Sequence, residues 1–194
     1  MARTQGSRAE ITGPLVHDAA LRLFARHGYA AVSMRRIAAE VGVQVGALYA
    51  YTPDKQALLA DLLRGHMQAL LAAWRDDPAR PALSRLQDFL RFHIQTSLDR
   101  PEAVFLSYME LRNLTPENRA TITALRHRYE AALETILIAG RAEGTMSVPD
   151  PRLATMALIA MLTGVTNWYR EGGRLDREKL IAAYWDLVRG AVGA

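Results

Sequence analysis

Apolar residues recur along the chain at spacings of three and four, the period of a helix that buries one face. The clearest run is Ser33 to Tyr51, SMRRIAAEVGVQVGALYAY. Met34, Ile37, Ala38 and Val41 stand at i, i+3, i+4 and i+7. Ser33 before them is a good N-cap, and Gly42 after them suits a left-handed helix stop. Val45 and Leu48 begin a second, much shorter apolar face. Two short helices meeting at a glycine-containing turn match the helix-turn-helix pattern, whose second helix enters the DNA major groove.

The same reading carried along the chain predicts a helix over 14–27, with Leu15, Ala19, Leu23, Phe24 and His27 on one face. A long helix follows from Pro53 to about Arg75, capped by Thr52 with Pro53 at N1. Others cover about 82–98, 101–114, 116–143, 150–169 and 176–192, and residues 1–12 read as a loose basic arm. No segment alternates with period two over a strand length. The expected fold class is therefore all-α, with about nine helices. Residues 1–52 form a three-helix N-terminal domain and 53–194 a larger helical bundle. No flexible linker separates them, so the helix from Pro53 is expected to span both as a rigid lever.

Composition narrows the function. Cysteine is absent, which excludes disulfides and thiolate metal sites and permits a reducing cytoplasm. There is no apolar h-region near the start, and no run reaches the roughly 18–20 apolar residues of a membrane span, so neither a signal peptide nor a membrane partner is expected. Residues 1–36 hold Arg3, Arg8, Arg22, Arg26, Arg35 and Arg36 against Glu10 and Asp18, so the net charge of +4 sits at that end. A basic end on a neutral body fits a polyanion partner, and equally a solubilising surface. G-x-S-x-G, G-x-G-x-x-G, P-loop and H-E-x-x-H motifs are all missing, and the five histidines are scattered. No enzyme, metal site or cofactor is expected.

A recognition helix needs small or polar side chains at its N-terminal end to reach base edges. Gln44, Val45, Gly46 and Ala47 stand there. For Gly46 the other reading is helix–helix clearance, and for Val45 it is core packing. Lys55 falls in the first turn of its helix, where the dipole disfavours a cation; a phosphate at that terminus would reconcile the two. Ser33 and Arg35 stand at another helix start and could hold phosphate the same way.

The segment Ala20 to Leu59, ALRLFARHGYAAVSMRRIAAEVGVQVGALYAYTPDKQALL, resembles the N-terminal domain of the TetR family of bacterial transcriptional regulators. The likeness rests on many fixed positions, among them Phe24, Gly28, Tyr29, Ile37, Ala38, Gly42, Gly46, Leu48, Tyr49, Tyr51 and Lys55. It implies a repressor that binds double-stranded operator DNA as a homodimer, with Tyr49 and Tyr51 at phosphates or sugars. The other reading of Tyr51 is a core ring with a wet hydroxyl. Four departures stand out. Gln44 replaces the usual Ser or Thr cap, Thr52 a usual aromatic and Gln56 a usual acid, and Gly13-Pro14 is unusual inside the first helix.

For the C-terminal part the resemblance implies a four-helix dimer interface. Leu158, Met161, Leu162 and Val165 on one helix, and Tyr184, Leu187 and Val188 on the last, are the candidates; ordinary core is the alternative. Leu111–Leu133 and Thr166–Gly190 also resemble the subgroup governing fatty-acid, steroid or other acyl-CoA catabolism. That implies a small apolar effector, such as an acyl-CoA. The residues that could line its site are aromatics and polar groups on buried-looking faces, His66, Phe89, His93, Phe105, Tyr108, Tyr129 and Trp168; ordinary packing is the alternative for each. Arg112 and Arg126 would meet the CoA phosphates; the alternative for them is surface salt pairing. The ligand-level alternative is a multidrug or aromatic-compound sensor. A more remote one is a helical binding protein without DNA binding.

Overall fold

The computed structural model describes residues 5–194, with side chains from Thr12 onward. Arg3 and the side chain of Arg8, assigned above to a basic arm, lie outside the described residues. Ten α-helical segments and one 3-10 turn account for the regular structure, with no strand among the described residues. They are α1 (Gln5–His27), α2 (Met34–Val41), α3 (Val45–Leu48), α4 (Lys55–Ala73), α5 (Ala82–Asp99), α6 (Pro101–Met109), the turn Leu111–Asn113, α7 (Pro116–Ala142), α8 (Pro151–Thr163), α9 (Val165–Trp168) and α10 (Arg177–Ala191).

Several helix ends differ from the sequence expectation. The helix expected from Pro14 begins at Gln5 instead, and Pro14 lies inside it. An interior proline leaves the helix one N–H short and crowds the carbonyl four residues before it, and the Pro14 ring is exposed. Within α1, Leu15 points outward and Val16 and Ala20 take the core positions. Asp54, not Thr52, caps α4: its Oδ1 accepts from Ala57 N at 2.8 Å. Thr52 is buried, and its hydroxyl donates to the Asp54 carbonyl at 2.9 Å. The helix expected over 150–169 breaks at Gly164 into α8 and α9. Asp150 and Asp176 cap α8 and α10 by accepting from Leu153 N and Lys179 N.

The chain divides into two compact units. The first comprises residues 1–66 and 102–123, and the second 67–101 and 124–194. The first thus holds α1–α3, the start of α4, nearly all of α6 and the start of α7. Its core is Phe24, Ile37, Leu48, Leu58, Leu59, Leu63 and Leu106. The second is built on α5, with Leu86, Phe89, Leu90 and Ile94 buried, together with Leu133, Ile136, Leu137, Leu158, Leu162, Leu180 and Val188. Its N-terminal corner is polar. Arg85, only 5% exposed, grips Asp76 with two hydrogen bonds of 2.8 and 2.6 Å. The amide of Ala82, first residue of α5, donates to the Glu143 carboxylate at 3.0 Å.

Candidate DNA-reading surface and effector core

The helix pair α2–α3 is fixed by its own ends. Ser33 Oγ accepts from Arg36 N at 3.2 Å and closes the start of α2. Gly42 ends it at φ +75°, and Val43 N returns to the Ala38 carbonyl at 3.0 Å. Only glycine takes that φ without strain, so the turn into α3 depends on it. Helix α3 is a single turn anchored by the fully buried Leu48. Gln44, Gly46 and Ala47 are exposed, Val45 is partly so, and Tyr49 is 55% exposed. Gln44 makes no side-chain capping bond, so its amide stays uncommitted to the helix. Ser33 and Arg35 are exposed, while Tyr51 is half-buried with its ring beside Gly13 of α1. Arg36, beside Arg35, donates to His27 Nε2 at 2.7 Å. Packing around His27, with Arg36 and Arg26 beside it, disfavours its imidazolium and holds its pKa below the usual histidine value.

Lys55 sits differently from the expectation. Its ammonium donates to the carbonyls of Tyr29 at 2.9 Å and Val32 at 2.8 Å, and lies 4.1 Å from the centre of the Tyr29 ring. The cation disfavoured at a helix start is stabilised by main-chain oxygens of the α1–α2 loop. Burial there lowers its pKa, and the nearby Glu110 carboxylate opposes the shift. Burial likewise raises the Tyr29 phenol.

Two residues at this end escaped sequence reading. Glu110, buried, accepts from Tyr29 N at 3.1 Å and from the Asn113 side chain. Gln56 donates to the Asn113 carbonyl at 2.7 Å and accepts from Thr115 N at 3.2 Å. The only sequence signal was the amide at Gln56 where an acid is usual.

In the second unit an aromatic cluster surrounds a buried histidine. Phe89 stacks near His93 and Tyr129, and Trp74 meets Phe89 edge-on at 5.0 Å. His93 Nδ1 lies 2.9 Å from Tyr129 Oη, and His93 Nε2 lies 2.9 Å from Thr163 Oγ1. Trp74 Nε1 and Thr155 Oγ1 are buried with no hydrogen-bond partner. The candidate effector residues are therefore divided. Phe89, His93 and Tyr129 come together here, and Arg126 is half-buried on α7 of the same unit. His66 is buried in the first unit, where Phe105, Tyr108 and Arg112 are surface residues. Trp168 is exposed, stacked on Tyr184 at 6.4 Å.

The candidate dimer residues also divide. Leu158, Leu162, Val165 and Val188 are buried within the single chain, and Met161 and Tyr184 are half-buried. Leu187 is 57% exposed, and the outward apolar positions of α8 are Leu153 and Met156. Both helices are apolar on more than one side, so periodicity could not say which side faces the chain's own core.

Comparison with known proteins agrees with this arrangement. Residues 16–62 match the family of bacterial regulatory proteins called tetR, and residues 79–192 match the tetracyclin repressor-like C-terminal domain. The chain belongs to the TetR family. The HTH-type transcriptional repressor KstR2 of Mycobacterium tuberculosis (strain ATCC 25618 / H37Rv) is 28% identical over 99% of this chain and 98% of its own. The fatty acid metabolism regulator protein of Bacillus subtilis (strain 168) is 25% identical, over 88% of this chain and 90% of its own. The crystal structure of AibR in complex with isovaleryl coenzyme A and operator DNA shares the fold. Its TM-score is 0.83 at 24% identity, over 91% of this chain and 97% of that one. This TetR-family chain is a transcriptional regulator with a helix-turn-helix DNA-binding domain and not an enzyme. No helix among the described residues is long and apolar enough to cross a membrane.

Proposed function

We propose that the protein is a cytoplasmic, homodimeric repressor that binds a palindromic operator and is released by a small effector with an apolar chain, an acyl-CoA being the class favoured. The observation that carries the DNA reading is the α3 turn. Leu48 is buried beneath it while Gln44, Val45, Gly46 and Ala47 face solvent. Small residues let the turn approach base edges, the Gln44 amide can pair with adenine, and Val45 can meet a thymine methyl. Ser33, Arg35, Tyr49 and Tyr51 are the proposed phosphate and sugar contacts. Lys55 supports them by holding the α1–α2 loop. One short turn reads few bases, so a second copy is needed for specificity. The outward residues Leu153, Met156 and Leu187 are the proposed contact surface of a two-fold dimer.

The effector class is argued from the second unit's interior. Its buried polar side chains are Arg85, His93, Ser97, Thr155 and Thr163, with no buried carboxylate among the described residues. A cationic drug held there would lack a counter-charge, whereas a carbonyl or other acceptor could take the Trp74 N–H. The AibR complex contains an acyl-CoA, and the Bacillus relative is named for fatty acid metabolism; both favour the same class.

Two measurements test the proposal. Selection of duplexes from a random library should return an inverted repeat bound by two chains; recovery of no preferred sequence overturns the repressor reading. A thermal-shift panel of acyl-CoAs, free fatty acids and aromatic cations should show stabilisation by acyl-CoAs, about 2.7 kcal/mol at a hundredfold excess over Kd. Trp74→Phe should raise the acyl-CoA Kd about tenfold, the value of one hydrogen bond. Stabilisation by aromatic cations alone would establish the drug-sensing alternative.

A further inference from the structure

Gln56 is the departure in the N-terminal sequence that DNA reading leaves unexplained. Its amide meets the backbone of the turn between α6 and α7 at two points. Nε2 donates to the Asn113 carbonyl at 2.7 Å, and Oε1 accepts from Thr115 N at 3.2 Å. Only a side chain that is donor and acceptor at once can do both. A carboxylate, usual here in the family, could take Thr115 N but would set a second acceptor against the Asn113 carbonyl.

The turn is tied to the α1–α2 loop as well. The buried Glu110 carboxylate accepts from Tyr29 N at 3.1 Å and from the Asn113 side-chain amide. Tyr29 is the meeting point: its carbonyl takes Lys55, and its hydroxyl lies 3.4 Å from Gln56 Nε2. Four residues after Tyr29 comes Ser33, the cap that starts α2. All six residues belong to the first unit, while α7 continues from that turn past residue 124 into the second.

We infer that the Glu110–Thr115 turn and Gln56 form a joint that makes the helix-turn-helix follow the state of α6 and α7, with Gln56 as the positioning residue. The inference rests on the reading above that effector binding releases the operator. A side chain that fixes the turn at both a carbonyl and an N–H leaves it no free slide or rotation against α4. A shift delivered along α6 or α7 must then move Tyr29 and α2 with it. Without the amide, only the Glu110 carboxylate still ties the turn to the loop, so the turn shifts more freely against α4 and the effector loses part of its hold on the DNA-reading surface. Coupling between two sites is a free energy, and it falls with the contacts that carry it.

The test uses Gln56→Met, which keeps length but no hydrogen bond, and Gln56→Glu, which keeps only the Thr115 contact. Operator affinity is measured by fluorescence anisotropy with and without saturating oleoyl-CoA, on a duplex selected by the wild-type protein. In Gln56→Met the ratio of the two affinities should shrink about tenfold, with Gln56→Glu in between. An unchanged ratio overturns the inference, whatever happens to thermal stability. A wild-type protein blind to oleoyl-CoA would instead count against the effector reading. Amide exchange then decides the joint by itself: the Tyr29 amide should exchange about tenfold faster in Gln56→Met while α5 amides do not change. Equal protection of Tyr29 in both proteins overturns it.

Discussion

Lys55→Met separates two roles that a first-turn lysine can play. In the structure its ammonium holds two carbonyls, those of Tyr29 and Val32, and covers the Tyr29 ring. A hydrogen bond to a charged group contributes about 1.5–3 kcal/mol when well shielded. Lys55 is only half-buried, so water replaces part of each bond and the lower end applies. Adding about 0.5 kcal/mol for the cation over the ring, and discounting for solvent, the variant should lose about 2 kcal/mol of stability. Methionine keeps most of the apolar stem, so lost packing contributes little. For a chain of this length that is a fall of about 4–8 °C in Tm, readable by circular dichroism.

The operator assay supplies the contrast. A lysine neutralising a phosphate contributes about 0.9 to the slope of log affinity against log salt. If Lys55 acts through the loop, Lys55→Met binds the operator more weakly but with the wild-type slope. Wild-type stability together with a slope reduced by about 1.8, one lysine from each copy, would refute the internal role and restore the phosphate contact expected from sequence.

Three further outcomes follow from the geometry. The Arg85 guanidinium hydrogen-bonds Asp76 and holds its carboxyl below the usual carboxylate range. Such a group adds stability above its unfolded pKa near 3.9, lost as pH falls through the folded value; Arg85→Met should therefore be about 2 kcal/mol less stable at neutral pH, with the gap closing as pH falls below that unfolded value in urea titrations. Leu187→Glu puts a charge on the outward apolar face of α10, and sedimentation velocity should show a monomer with unchanged helix content; a persisting dimer would move the interface elsewhere. Gln44→Ala should relax base preference at one position per half-site by about 1–3 kcal/mol without altering the salt slope, read from selected sequences.

Which of these residues could be seen in the sequence depends on how far away their partners lie. Ser33, Asp150 and Asp176 bond an amide three residues on, and Gly42 acts on its own φ; such effects are legible in a short window. The all-α fold and the α2–α3 pair follow from them and from apolar spacing. The α3 face was legible for the same reason, because one buried Leu48 fixes which neighbours point out. The faces of α8 and α10 were not, since Leu153 and Leu158, or Leu187 and Val188, are equally apolar and only packing separates them. Lys55 shows a different loss. That a cation at a helix start needs compensation was visible, but its partners are main-chain carbonyls, which no residue type announces. Glu110 and Tyr29 stand 81 positions apart and meet through a backbone amide, so neither side chain carries a mark of the other. Residues that touch DNA are recognisable by type because bases and phosphates demand particular chemistry. Those that hold the reading surface in place bond to backbone, which is the same everywhere, and Gln56 showed through only because an amide there breaks a pattern.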